Sequence, residues 1–153
     1  MEDLDKVRLL APDLRDNKAF PRSSRATLAD YVIAARVVDK CRADLVGQIG
    51  DYDTNCPLDK IWLEFAGINY DELRAFLATG ASDEQVESWI RERAKQQTRE
   101  EIIPWNNQQR DRRLSDVPVD LQVYMEDYIK QYVPRNKVVY TLFDIYDYEE
   151  ERL

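Results

Sequence analysis

The spacing of apolar residues most constrains the fold, because it follows a helical period through most of the chain. The first such segment begins at an N-cap residue, Ser23 or Ser24, and runs to about Val46, before Gly47 and Gly50. Its apolar positions recur every three or four residues, as one buried face of a helix requires. They are Leu28, Tyr31, Val32, Ala35 and Val38.

Further segments with the same period follow, and most have a recognisable start or stop signal. These signals are Pro57 and Gly67, Asn69 and Gly80, Ser82, Thr98 with Glu101, and Pro118 and Pro134. Pro104 lies inside the segment after Thr98, where it predicts a late start or a bend. Together the segments predict an all-α fold, an irregular bundle of about six helices.

Two stretches are less clearly patterned. Residues Met1 to Arg22 are charged and weakly periodic, which predicts an N-terminal arm with one short turn. Residues Val138 to Tyr148 fit either a helix or a buried strand, and the lack of a partner strand favours the helix. The length of 153 residues predicts a single domain, 1–153, with 1–22 as the arm.

Charge and composition exclude several classes of function. The formal net charge is −8 and histidine is absent. An acidic chain is poorly suited to nucleic acid, whose phosphates are bound by cationic side chains. Without histidine, Ser-His-Asp and Cys-His catalysis are excluded. No nucleotide-binding glycine loop, zinc motif or calcium loop is present, so neither a cofactor nor a metal is predicted.

The expected compartment is the cytoplasm. The acidic start of the chain has no basic or apolar leader, and no apolar stretch is long enough for a membrane span. The two cysteines, Cys41 and Cys56, are therefore predicted to be free thiols. Arg110, Arg112 and Arg113 form a small basic patch in an acidic chain, which leaves self-association open.

Six short strings occur in a fixed order along the chain: Pro21-Arg22-Ser23, Tyr31-Val32, Asp39-Lys40-Cys41-Arg42-Ala43, Asn55-Cys56-Pro57-Leu58-Asp59, Trp105-Asn106 and Phe143-Asp144-Ile145-Tyr146-Asp147. In these strings the chain resembles a bacterial family catalogued only as a domain of unknown function. The resemblance extends from about Phe20 to Leu153 and implies a single small domain without an established activity. The chain departs from the family at Ala29-Asp30, where two glycines are usual, and at Asp53-Thr54, where His-Tyr is common.

The loop from Gly50 to Asp59 is the candidate functional region. If Pro57 is the first residue of a helix, Cys56 is its N-cap and lies at the positive end of the helix dipole, which favours a reactive thiolate. The alternative is that Cys56 only packs, while Asn55 or Asp59 caps the helix. The predicted ligand-binding residues are Arg36, Asp39, Tyr52, Asn55, Cys56, Asp59, Trp105 and Asn106.

Each remaining candidate also has a structural interpretation. Arg36 and Asp39 fit either a solvated, salt-bridged helix face or, with Arg22 and Arg25, an anion site. Trp105 and Asn106 fit either a core or a polar ligand site. The favoured function is a non-catalytic module that binds a small polar or anionic molecule or a protein partner. The alternative is an enzyme that uses Cys56, Asp39 or Asp59, with Arg36 as electrophile.

Overall fold

A computed structural model describes residues 2–153, and helices dominate it. The helices are α1 (Asp3–Leu10), α2 (Ala34–Leu45), α3 (Pro57–Ala66), α4 (Tyr70–Leu77), α5 (Asp83–Arg93), α6 (Arg99–Arg110), α7 (Val119–Tyr132) and α8 (Leu142–Glu149). Two strands, β1 (Thr27–Leu28) and β2 (Tyr31–Val32), pair antiparallel. The all-α class is confirmed, with eight α-helices in residues 2–153 where about six were expected.

The chain divides into two compact units, which meet in sequence between Ile103 and Pro104 within α6. In the first unit, the fully buried Trp62 of α3 packs edge-on against Tyr31 of β2, with ring centroids 6.1 Å apart. In the second unit, α7 contacts α8. The buried core of that unit consists of Val117, Met125, Leu142 and Ile145.

The predicted start of the first long helix was wrong, because a tight hairpin precedes α2. Thr27 pairs with Val32 and Leu28 with Tyr31, so Ala29 and Asp30 form a two-residue turn. Their φ angles are 50° and 74°, as a type I′ hairpin turn requires. The apolar residues between Leu28 and Val32 would be buried in a hairpin as well as in a helix. Their spacing therefore could not distinguish the two structures.

The N-terminal segment is more ordered than the predicted arm with one short turn. It forms α1, which contacts α2 and buries Val7. Beyond α1, Leu14 is buried and its N–H donates to the carbonyl of Gln48 at 2.9 Å. Because α1 buries only Val7, its sequence has almost no apolar period to reveal the helix.

The C-terminal segment forms the favoured helix from Leu142 onward, whereas Val138 and Tyr140, which the alternative buried strand would cover, are exposed. Thr141 forms an isolated antiparallel bridge with Arg113, and α8 then begins at Leu142. The Thr141 hydroxyl accepts from the N–H of Asp144 at 3.2 Å, and the Asp144 carboxylate accepts from the N–H of Thr141 at 3.1 Å. This capping box fixes the start of the helix at Leu142, four residues later than the favoured interpretation, which began at Val138.

The helix that follows the candidate loop is placed as the sequence predicted. Pro57 is the first residue of α3, and Gly67 ends it with a φ of 71°. Asn69 and Ser82 cap α4 and α5 through their side chains. None of the helices within residues 2–153 combines the length and hydropathy of a membrane span.

Candidate functional site

Four charged residues of α2 are almost completely buried: Arg36, Asp39, Lys40 and Arg42. A buried charge is costly unless it has partners, so these side chains must organise the structure around them. They do so in two groups. Lys40 extends toward the loop that precedes α3, whereas Asp39 and Arg42 join an ion-pair network that includes Arg22 and Asp83.

The first group, the Lys40 cluster, consists of Lys40, Asp53, Cys56 and Asp59. The Lys40 ammonium donates to the Asp53 carbonyl at 3.0 Å and to the Cys56 sulfur at 3.4 Å. Its Nζ also lies 2.7 Å from Oδ1 of Asp59. An ammonium has three donors. Lys40 therefore directs two donors to the Asp53 carbonyl and the Cys56 sulfur, while its charge lies against the Asp59 carboxylate as an ion pair.

Asp59 is fully buried and is held by charge rather than by hydrogen bonds. Neither of its oxygens has a partner of acceptable hydrogen-bond geometry within the described chain, although Oδ1 is close to Nζ of Lys40. Most buried polar atoms are hydrogen-bonded, so a carboxylate of this kind is unusual. Asp59 is consequently a buried carboxylate beside the Lys40 ammonium, and its oxygens can still accept hydrogen bonds.

Cys56 is the N-cap residue of α3, as the sequence predicted, but it makes no side-chain capping bond. The interpretation in which Asp59 caps this helix is wrong, because Asp59 accepts no hydrogen bond and faces Lys40. Neither cysteine forms a disulfide, and Cys56 is the more exposed of the two thiols. Cys56 thus lies at the start of α3, and its sulfur is in contact with the Lys40 ammonium.

Arg36 reaches the same loop one helical turn before Lys40. Its guanidinium lies over the ring of Tyr52, 5.7 Å from the centroid, in a cation–π contact. One of its nitrogens also donates to the carbonyl of Arg22 at 3.4 Å. Arg36 therefore connects the loop around Tyr52 with the segment that carries Arg22.

Asp39 belongs to the second group, the Arg22 network, rather than to the loop. Arg22 binds its carboxylate at two points, through Nε at 3.0 Å and Nη2 at 2.9 Å, and the backbone N–H of Arg22 adds a third bond at 2.8 Å. Arg22 and Arg42 both bind Asp83 at the start of α5. Burial opposes the charge of Arg22, but its bonds to Asp39 and Asp83 outweigh burial and raise its pKa.

An open groove of about 460 Å³ lies beside the candidate loop, between α3 and the start of α4. Its volume falls within the range of small-molecule sites, about 300–1,000 Å³. Asn55 belongs to its wall, whereas Lys40 and Asp59 are buried outside the lining. The lining residues are Asn55, Lys60, Leu63, Glu64, Gly67, Ile68, Asn69, Tyr70 and Asp71.

Trp105 and Asn106 lie on α6 in the second compact unit. Asn106 is buried and Trp105 is partly buried. The structure thus gathers Arg36, Tyr52, Asn55, Cys56 and Asp59 around the loop of the first unit. A ligand-binding role for Trp105 and Asn106 stays a prediction.

Sequence reasoning missed Lys40 as a member of this site. Lys40 lies four positions from both Arg36 and Asp44, and charges at this spacing usually form a solvated, salt-bridged helix face. The missed signal was its place between the apolar residues Val38 and Cys41. A lysine on a helix that is buried among its neighbours needs an internal acceptor.

Comparison with known proteins places this architecture in a family defined by sequence alone. The family model described as "Domain of unknown function (DUF5069)" matches residues 18–152, so the chain belongs to that family. No curated protein matches the chain.

Proposed function

We propose that the first compact unit binds a small anionic molecule at the loop between α2 and α3. The observation that carries this proposal is the pair of buried cations, Arg36 and Lys40, one turn apart on α2 and both in contact with the loop. The start of α3 adds backbone N–H groups that have no acceptor within the helix, which suit an anion.

We propose that such a molecule enters through the groove beside the loop, because Asn55 belongs both to the loop and to the groove wall. The amides of Asn55 and Asn69 and the ammonium of Lys60 offer donors, while Glu64 and Asp71 add acceptors on the wall. This mixture favours a polar molecule that carries hydroxyl or amide groups besides its negative charge. A carboxylate or a phosphate monoester of metabolite size has this chemistry.

The test is a thermal-shift screen of small carboxylates and phosphate monoesters on the full chain. A ligand raises the melting temperature through mass action, by an amount that grows with its concentration relative to Kd. We expect Arg36→Gln and Asn55→Ala to reduce this shift after correction for their own stability. The control is Arg91→Gln, which removes an exposed arginine of α5. A full shift in Arg36→Gln, or no stabilising compound in the screen, contradicts the proposal.

A second candidate function is catalysis by Cys56 as a nucleophile. The contact that favours it is the Cys56–Lys40–Asp59 chain, in which an amine lies against the sulfur and a carboxylate lies against the amine. Nucleophile, base and orienting group follow this order in many covalent enzymes. The reaction class is acyl transfer to water. Lys40 in its amine form takes the thiol proton, the sulfur attacks an ester or amide carbon, and the bond to the leaving group breaks as that group takes the proton from Lys40. Water then releases the acyl group from the sulfur as a carboxylic acid. Asp39, bound to Arg22, has no part in it.

The rate of alkylation by iodoacetamide separates this candidate from a binding role. Replacing Lys40 alone leaves Asp59 as an unpaired buried charge, which costs about 3–5 kcal/mol. The informative variant is therefore Lys40→Gln with Asp59→Asn, which keeps the volumes and removes both charges. We expect Cys56 to react more slowly in this variant, on the order of tenfold. An unchanged rate contradicts a nucleophilic Cys56.

A further inference from the structure

We infer that Cys56 and Lys40 form an oxidative modification site, in which a peroxide links the sulfur of Cys56 to Nζ of Lys40 through a covalent S–N bond. The two atoms already lie 3.4 Å apart. The inference concerns the thiol chemistry of the loop and does not depend on the ligand proposed above.

The positions of the two partners suit such a reaction. Cys56 is partly exposed, so a peroxide can reach its sulfur from solvent, whereas Lys40 is buried and cannot swing away into water. The Lys40 ammonium is fixed between the Asp53 carbonyl, the Cys56 sulfur and the Asp59 carboxylate. An oxidised Cys56 is thus formed next to a buried amine that contacts its sulfur.

Asp59 supplies the second requirement, a group that can take the proton from Lys40. An ammonium has no lone pair and cannot attack sulfur, so it must first lose a proton. Asp59 is fully buried, its oxygens have no hydrogen bond of acceptable geometry in the described chain, and Oδ1 lies 2.7 Å from Nζ. A buried carboxylate with unused acceptor capacity is suited to hold that proton.

The chemistry balances in two steps. First, the Cys56 thiol and hydrogen peroxide give a sulfenic acid and water, a two-electron oxidation of sulfur. Second, Asp59 takes one proton from the Lys40 ammonium, and the resulting amine attacks that sulfur. The S–O bond breaks, and the hydroxide leaves as water by taking a proton from the attacking nitrogen. The product is a sulfenamide. Overall the thiol and the amine lose two hydrogen atoms, and one peroxide is reduced to two waters. A thiol reductant reverses the link by attacking the sulfur.

Cys41 provides an internal comparison, because it occupies a different environment. It is fully buried on α2, and burial raises the pKa of its thiol despite a nearby Tyr70 hydroxyl. A buried thiol of raised pKa has little thiolate and is inert toward peroxide. Oxidation is therefore expected at Cys56 and not at Cys41.

The experiment treats the full folded chain with a small molar excess of hydrogen peroxide and measures its intact mass and peptide map. We expect a species that has lost two hydrogen atoms, in which the peptides of Lys40 and Cys56 are joined, and which dithiothreitol returns to the starting mass. Oxygen addition at Cys56 without a joined peptide would overturn the inference. A joined peptide that retains one oxygen would overturn the S–N assignment.

Three variants make the result specific. Cys56→Ser must abolish the link, whereas Cys41→Ala must leave it. Lys40→Arg keeps a cation beside Asp59 but offers a guanidinium that stays protonated, so it should oxidise at Cys56 without forming the link. If Lys40→Arg does not fold, Lys40→Gln with Asp59→Asn serves the same purpose. A link that persists in these Lys40 variants contradicts the inference, and no outcome depends on whether an anion binds.

Discussion

At the scale of single residues, Asp83 connects two arginines from distant parts of the chain. Its carboxylate accepts from Nη1 of Arg22 at 2.9 Å and from Nη1 of Arg42 at 2.8 Å. Burial by itself would raise the pKa of Asp83, but the hydrogen bonds from Arg42 and Arg22 outweigh it. The pKa consequently lies below its ordinary value of 3.8. Folding therefore favours the ionised form of this group.

The sign of this shift predicts how stability depends on pH. The contribution of Asp83 is complete above its unfolded-state pKa and is lost as the pH falls through the lower folded-state pKa. We expect Asp83→Asn to be less stable than the wild type near neutral pH. The difference should shrink between about pH 5 and pH 2, as measured by urea unfolding. The exposed Asp51→Asn is the control, and a difference that is constant with pH would contradict the prediction.

At the scale of secondary-structure elements, the hairpin before α2 has a strained turn. Ala29 and Asp30 both have positive φ, which L-residues other than Asn and Asp adopt at a cost of roughly 1–2 kcal/mol. Two glycines would meet the requirement without strain. Ala29 and Asp30 therefore make the hairpin less stable than a pair of glycines would.

Two substitutions at Asp30 measure what a side chain other than Asn or Asp costs at this φ. Both remove the carboxylate, so any lost charge interaction is common to them. Asp30→Gly relaxes the backbone, whereas Asp30→Ala keeps a side chain at a φ of 74°. We expect the glycine variant to be more stable than the alanine variant by about 1 kcal/mol in chemical denaturation. Equal stability would show that the turn does not hold this φ in solution.

At the scale of the whole molecule, the N-terminal segment is part of the first compact unit. Leu14 is buried, and its carbonyl approaches Gly50 at the start of the candidate loop so closely that a Cβ there would lie 2.6 Å from the oxygen. Gly50 has a φ of 61°. The candidate loop is therefore held at one end by the N-terminal segment and at the other by α3.

Gly50→Ala measures this close approach when it is compared with Gly47→Ala. Both glycines have positive φ, but a Cβ at Gly47 has no atom within 4 Å. The backbone strain is therefore common to both variants, and the clash with Leu14 belongs to Gly50 alone. We expect Gly50→Ala to be less stable by about 1–3 kcal/mol more than Gly47→Ala in denaturant unfolding. Similar losses would mean that the N-terminal segment is not packed at this point.

Local signals predicted much of the helical framework. Pro57 with Gly67, Asn69 and Ser82 start or stop helices where the sequence indicated, because a cap depends on a few neighbouring residues. The choice between helix and hairpin before α2 was not local. It depended on the Ala29-Asp30 turn, whose positive φ angles the apolar spacing did not reveal.

The candidate loop could be predicted from its polar composition and from the helix start at Pro57, but its partners could not. Charges on one helix do not reveal whether they face water or a distant loop. Arg36 and Asp39 were both predicted to belong to the loop site, yet Asp39 binds Arg22 while the unpredicted Lys40 contacts Cys56 and Asp59. The sequence by itself determined the helical class and the place of the loop, because both follow from near neighbours. Only the tertiary structure decided which charges meet, because burial removes water as their alternative partner.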